Sequence, residues 1–301
     1  MDCLAKNYNP RAVSDDGSCA YSTVIFNPEF LSLLPKEVDE TSGLFFYGGK
    51  LWTHNDSGGE PILYALDTST FDVDQRVTLS NANNVDWEDV CFDGSTVFVG
   101  DFGNNMGARD DLKIYTFSVQ GIPDGRDALL TVDTISFEFA DQTDFSIRTV
   151  HDFDCEAMFA TERYLYLFSK GWETGTTRLY RLSKQAGHQV AEVVNWFDSK
   201  GLVTGADYNP ETGVIAIVGY VNKIWEPFLF VLYDFDEEAL IAHGRRLDMP
   251  NLMGTQTEGI CFIDAYRCYI SAETSPAFST RIFRADLKKW TCKDEKAEEK
   301  R

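Results

Sequence analysis

Apolar residues in this chain come in runs of about five, separated by turn residues, and the runs recur in a fixed order. The clearest copy is residues 84–101, "NVDWEDVCFDGSTVFVGD": acids, a short strand, an Asp-Gly turn and a second strand. The same order appears at residues 42–54, 156–168, 204–218 and 258–271. Short apolar runs bounded by turn signals predict buried strands, so each copy reads as a hairpin. A third strand of shared character follows every hairpin, at 62–66 ("ILYAL"), 113–117 ("KIYTF"), 178–182 ("RLYRL"), 228–232 ("FLFVL") and 281–285 ("RIFRA"). Fourth strands are expected near 76–79, 135–139, 192–196 and 244–247.

Counted from Ser42, Glu88, Glu156, Thr204 and Glu258, the steps are 46, 68, 48 and 54 residues. Several strands per unit at such a period predict an all-β fold, a β-propeller of four-stranded blades. Five blades account for the hairpins, and a sixth is open because residues 141–152 are spare within the long step. The second residue of each hairpin is small (Gly43, Ala157, Gly205, Gly259) with Asp89 the exception, as expected where innermost strands crowd an axis. The last unit runs out of apolar sequence. An open edge there would be a liability, so residues 23–26 are expected to complete that blade, with 28–36 as a connection into the first hairpin. The domain boundaries are therefore 1–21, a short polar segment; 22–290, the propeller; and 291–301, a charged tail.

The formal charge of −21 disfavours phosphate neutralisation and thus nucleic-acid binding. No apolar run is long enough to span a membrane. No signal peptide opens the sequence. Seven cysteines is an odd number, and no Cys-x-x-Cys pair suggests zinc. Cys91, Cys261 and Cys268 fall inside apolar strands as small buried hydrophobes. Cys3 and Cys19 bracket a segment with no core of its own, where a disulfide would supply the order. The pairing of Cys155 and Cys292 stays open.

In an aligned ring of innermost strands, the five lead residues face the central channel at one mouth. Glu88, Glu156 and Glu258 bring three carboxylates there as candidate metal ligands, beside Ser42 and Thr204. Two residues earlier, by period-two alternation, stand Glu40, Asp86, Asp154, Leu202 and Gln256. The second strands end nearby and add Asn55, Asp56, Asp101, Lys170 and Glu273, with Asn104 and Asn105 in the next loop. So many oxygens require raised carboxyl pKa values or a cation. Calcium suits hard oxygens in loose geometry, and His54 is the one histidine placed near this mouth. The alternative is a water-filled acidic funnel with Lys170 as counter-charge. Trp52, Trp87, Trp172 and Trp225 offer either a sugar platform or blade packing. Nucleophile elbow, phosphate loop, zinc-protease and dinucleotide motifs are all missing, and Ser57 beside His54 and Asp56 has no diagnostic spacing.

The segment 3–21, with its "YNP…DDGSC" pattern, is similar to a Cys-bracketed module of bacterial surface and secreted proteins. That resemblance implies an extracytoplasmic protein. Asn7, Asn9, Asp15 and Asp16 in it suit either calcium or a solvated turn. Residues 40–118 ("SGL…NDSG…LYALD…DWED…GDFGNN"), and more weakly 154–157 and 257–259, resemble the bacterial SdiA-regulated and esterase-like phytase propellers. The resemblance implies a propeller with a central calcium, although Leu202 and Thr204 stand where acids would complete the ring. The reading that follows is a monomeric binding propeller holding a small molecule, glycan or protein at the channel mouth. A calcium-dependent hydrolase of phosphate esters or lactones is the alternative, for which Arg109, Lys170 and Lys223 are the few rim cations.

Overall fold

The structure, a computed structural model, describes residues 2–12, 19–238 and 240–291. It is almost entirely strand and turn. The strands, in chain order, are β1 (Glu29–Leu33), β2 (Thr41–Tyr47), β3 (Lys50–Asn55), β4 (Ile62–Asp67), β5 (Val73–Leu79), β6 (Trp87–Phe92), β7 (Thr96–Asp101), β8 (Lys113–Ser118), β9 (Asp127–Leu130) and β10 (Asp133–Phe139). They continue with β11 (Asp154–Ala160), β12 (Tyr164–Lys170), β13 (Thr177–Ser183), β14 (Gly187–Phe197), β15 (Leu202–Asn209), β16 (Val214–Val221), β17 (Glu226–Asp236), β18 (Ile241–Asp248), β19 (Gln256–Phe262), β20 (Arg267–Glu273) and β21 (Arg281–Asp286).

Sequential strands pair antiparallel, as short turns between them require. The sheets run β2-β3-β4-β5-β9, β15-β16-β17-β18 and β1-β21-β20-β19, and an eight-stranded sheet runs β6-β7-β8-β10-β14-β13-β12-β11. That large sheet is two antiparallel units joined along their outer edges by a parallel pairing of β10 with β14. β9 is likewise an added parallel outer strand on β5, one that the hydrophobic pattern does not announce. The leading strands β2, β6, β11, β15 and β19 pack against one another in a closed circuit, with β19 returning to β2. This is the radial arrangement of a propeller. Apolar cores lie between neighbouring antiparallel units: Leu63 and Tyr115 share one across two sheets, and Phe98 and Leu167 share another between the two halves of the eight-stranded sheet. A fully buried Leu or Phe contributes roughly 1.5–3 kcal/mol, so every interface of the circuit carries substantial stabilisation.

At the centre the strands approach closely. A Cβ on Gly205 would lie 2.3 Å from the Glu258 carbonyl oxygen, and one on Gly259 would lie 2.2 Å from that of Ser42. Asp89, the exception among the small residues, is fully buried there, and its carboxylate accepts N–H bonds from Val90 (2.8 Å), Met158 (2.7 Å) and Ala206 (3.2 Å). It thereby ties β6 to β11 and β15.

Three expectations change. Closure of the last sheet is by β1, which pairs antiparallel with β21, not by residues 23–26. Residues 24–26 lie along β18 instead, with Phe26 N–H on the Asp248 carbonyl (2.9 Å) and Asp248 N–H on that of Val24 (2.8 Å). Residues 28–36 are thus not a mere connection, and β1 within them carries a register shift between Phe30 and Ser32. Residues 141–152 form no strand, and the long step is occupied by β9 and a loop. Cys19 is a free thiol, so the Cys3–Cys19 disulfide is not formed, and Cys155 is a buried free thiol as well. Within the short N-terminal segment, Leu4 joins the core of the last two sheets and its carbonyl accepts from Arg245 (2.8 Å). Asn7 and Asn9 spend their Oδ1 atoms on the Ala20 and Arg11 amides, while Asp15, Asp16 and Cys292 lie outside the described residues.

Because β1 covers the free edge of β21, deleting residues 1–34 should lower the melting temperature far more than deleting 1–23, and should increase association through the bared edge. Calorimetry with light scattering on the two truncations checks this; equal melting temperatures would return β1 to the status of a linker.

Candidate functional site: an acidic channel mouth

Each leading strand contains a register shift at the same level. Partners skip a residue between Thr41 and Leu44, Trp87 and Asp89, Cys155 and Ala157, Val203 and Gly205, and Thr257 and Gly259. The extra residues include Ser42, Glu88, Glu156, Thr204 and Glu258, the five lead positions of the sequence repeats. A bulge re-aims the inserted side chain and breaks strict alternation, which is how the lead residues reach the mouth.

They do not all play one role there. The Ser42 hydroxyl donates to the Glu88 carbonyl, and the Thr204 hydroxyl to that of Thr257 at 2.6 Å. These two stitch neighbouring leading strands together. The acids divide into two groups. Oxygens of Asp56, Asp86 and Glu88 lie within 4.8 Å of one another, the one such cluster of acidic, histidine or cysteine side chains among the described residues. Of the expected set Glu88, Glu156 and Glu258, only Glu88 belongs to it. Glu156 instead meets the Lys170 ammonium at 2.8 Å, with both side chains nearly inaccessible. Gln256 donates to Glu273 beside Glu258.

The Asp56–Asp86–Glu88 cluster is held from several sides. The Asp56 amide donates to the Glu40 carbonyl (2.9 Å), and Asn84 Nδ2 holds the Asn55 and Asp56 carbonyls at 3.1 and 2.6 Å. Gly103 lies against the carboxylates: a Cβ there would come within 2.1 Å of Glu88 Oε1 and 2.4 Å of Asp86 Oδ2. Asn105 Nδ2 is 3.4 Å from Asp86 Oδ2.

Other expected ligands have structural duties. Asp101 is fully buried and accepts from Arg109 (3.0 Å), Tyr115 (3.3 Å) and the Asp86 amide (3.1 Å). Asp154 accepts from the Asn104 amide (2.7 Å) and from Trp172 Nε1 (2.8 Å). Asn55 donates to the Glu37 carbonyl, Glu40 is exposed at the rim, and Asn104 is buried against Phe153 and Arg109. His54 is wholly buried, its Nδ1 is 3.0 Å from the Asn55 carbonyl, and burial pushes its pKa down to about 4, so it is neutral. Trp172 borders this mouth, beside the Lys170 ammonium, and Trp225 lies in the turn between β16 and β17. Trp52 stacks on Phe45 and Trp87 is sealed in the core. Tyr220 and His151 are additions that the sequence patterns do not single out. Tyr220 stands opposite Leu202 and places its ring 5.7 Å from the Lys170 ammonium; His151 props the 104–107 loop beneath Gly107.

Electrostatics follow from burial and like charge. Burial, then Asp56 and Asp154, raises the Asp86 carboxyl to about 6. Glu88 is raised well above its usual range by burial, Glu156 and Asp56, and Asp56 is raised chiefly by burial. Burial takes Glu258 up to about 7 in spite of Lys170, and burial with Glu258 and Asp56 takes Glu273 to about 9. Burial opposes the Lys170 charge, but Glu156, Tyr220 and Glu258 outweigh it, and its pKa is raised.

Acids whose folded pKa exceeds the unfolded value stabilise the fold while protonated, and that contribution is lost as pH rises through the folded pKa. In chelator the melting temperature should therefore fall between pH 5 and pH 8, and Asp86→Asn with Glu258→Gln should flatten the slope; a rise over that window would contradict the assignment. Lys170→Met leaves Glu156 buried and unpaired and should cost about 3 kcal/mol, most of it recovered by adding Glu156→Leu, as read by denaturant unfolding.

No protein-family model matches the chain, and no curated protein sequence does. Among solved structures it is similar to the PQQ-bound form of an aldose sugar dehydrogenase from Streptomyces coelicolor, at 12% identity and TM-score 0.48, over 86% of this chain and 98% of that one. It is also similar to the hydrazine synthase of Kuenenia stuttgartiensis, at 13% identity and TM-score 0.42, over 80% of this chain and 79% of that one. Likeness at this level transfers no residue role from either protein.

Proposed function

We propose that the chain is a five-bladed propeller, closed by β1, that binds a divalent cation at one mouth of its channel and presents that mouth to a ligand. Five leading strands in a closed circuit support the blade number, with β9 as an extra outer strand. The observation that carries the functional reading is the convergence of Asp56, Asp86 and Glu88 oxygens within 4.8 Å. Three carboxylates without sulfur or an available imidazole favour a hard cation, and calcium accepts such loose oxygen geometry with water completing its shell. Bound there, the cation supplies positive charge at a site that otherwise holds its acids at raised pKa. Lys170 already neutralises Glu156, which argues for one cation rather than a ring of them. Around it, Trp172 and Tyr220 flank Lys170 and offer aromatic faces to an oxygen-rich small molecule, a glycan or a peptide.

The same geometry also admits a calcium-dependent hydrolase of phosphate esters or lactones, in which the cation polarises an oxygen and Asp86 takes a proton. Binding is the preferred reading because Lys170 is already paired with Glu156 and Arg109 is engaged by Asp101 and Asp111, so neither is free for a polyanion. An extracytoplasmic location belongs to this proposal and is supported by the likeness of the first segment to surface-protein modules. No helix among the described residues is long and apolar enough to cross a membrane.

Calcium should raise the melting temperature of chelator-treated protein by several degrees, and Glu88→Gln or Asp86→Asn should remove most of that rise. Titration calorimetry on the three proteins checks the site. Turnover of phosphomonoester or lactone panels that disappears in Glu88→Gln would select the hydrolase; no calcium response in the wild type would overturn both readings.

A further inference from the structure

The opposite end of the channel, where the hairpin turns gather, holds a cavity of about 630 Å³ that is separate from the acidic mouth. The far ends of all five leading strands contribute to it. Phe45, Phe92, Tyr208 and Phe262 line its wall, and the Asp207 carboxylate is part of the lining. Asp207 Oδ1 accepts the Tyr208 amide at 2.8 Å and Oδ2 the Phe262 amide at 2.7 Å. No lysine or arginine is bonded to it among the described residues. The cation that does line the cavity, Lys184, is committed to Asp93 at 2.8 Å and to the Glu162 carbonyl at 3.1 Å.

We infer that this cavity is a second binding site, for a small organic cation consisting of an ammonium group on an aromatic or similarly apolar body. A carboxylate can accept about four hydrogen bonds, and the two amides leave Asp207 with acceptor capacity toward the cavity. Aromatic walls favour a cation electrostatically as well as an apolar body by burial, which is the recognition logic of ammonium cages. An anion would have to approach Asp207 with its one neighbouring ammonium already paired. Burial raises the Asp207 carboxyl to about 7, as expected of an acid that lacks a counter-charge and would gain one from such a ligand. The site shares no residue with the Asp56–Asp86–Glu88 cluster and does not depend on the cation reading.

Three probes of one shape test it by calorimetry and ligand-observed NMR: 2-phenylethylammonium, 2-phenylethanol and phenylacetate. The ammonium should bind saturably and at least tenfold more tightly than phenylacetate, with the alcohol between them. Asp207→Asn should erase the preference for the ammonium, and Phe92→Ala should weaken ammonium and alcohol alike. Glu88→Gln in chelator should leave all three affinities unchanged, which separates this site from the calcium site. Equal affinities, absence of saturable ammonium binding, or a preference that survives Asp207→Asn would overturn the assignment. Should Asp207→Asn not fold, because its carboxylate anchors the Phe262 amide, the wild-type discrimination and the Phe92→Ala loss decide the question.

Discussion

Crowding of the leading strands around a common axis is the constraint from which the other features follow. Where β2, β15 and β19 converge on their neighbours there is no room for a side chain, and Gly43, Gly205 and Gly259 fill those places. Backbones this close must also satisfy their polar groups across strands that do not pair as sheets. Ser42 and Thr204 do so with hydroxyls, and Asp89 with a carboxylate that collects three amides from three strands. Replacing small residues or Asp89 would therefore disturb the axis itself, not one blade.

The same crowding concentrates charge. Five bulges at one level turn their extra residues toward a narrow mouth, and with acids at three of them the local field can be relieved in only a few ways. Lys170 relieves it at Glu156, raised carboxyl pKa values relieve it at Glu258 and Glu273, and the Asp56–Asp86–Glu88 corner is where we propose the cation. The acids that the repeat sets at one level are thus split into a lysine-paired group and an open group. The two ends of the channel differ for a related reason. Bulges face one end, whereas hairpin turns and the apolar residues preceding them face the other, giving an oxygen-lined mouth and an aromatic-walled cavity with Asp207 in its lining.

Much of this was readable from residue order. Strand positions, the hairpin repeats, third strands of common character, the small residues at the axis and buried Cys91, Cys261 and Cys268 all follow from local pattern, because burial on both faces of a leading strand leaves a continuous apolar signature. The identity of the closing strand was not, since β1 is short and irregular and its pairing partner lies at the far end of the chain. Nor was β9, whose parallel pairing has no turn to mark it.

What the sequence determined by itself is the repeat: its strands, its turns and the level at which acids recur, all set by short-range periodicity. Only the tertiary structure decided which of those acids share a space. Five bulges changed the parity of the leading strands, closure of the ring brought Asp56 from one unit beside Asp86 and Glu88 of the next, and Lys170 reached Glu156 rather than standing free. Those outcomes depend on contacts between residues far apart in sequence and on distances of a few ångströms, to which a one-dimensional pattern is blind.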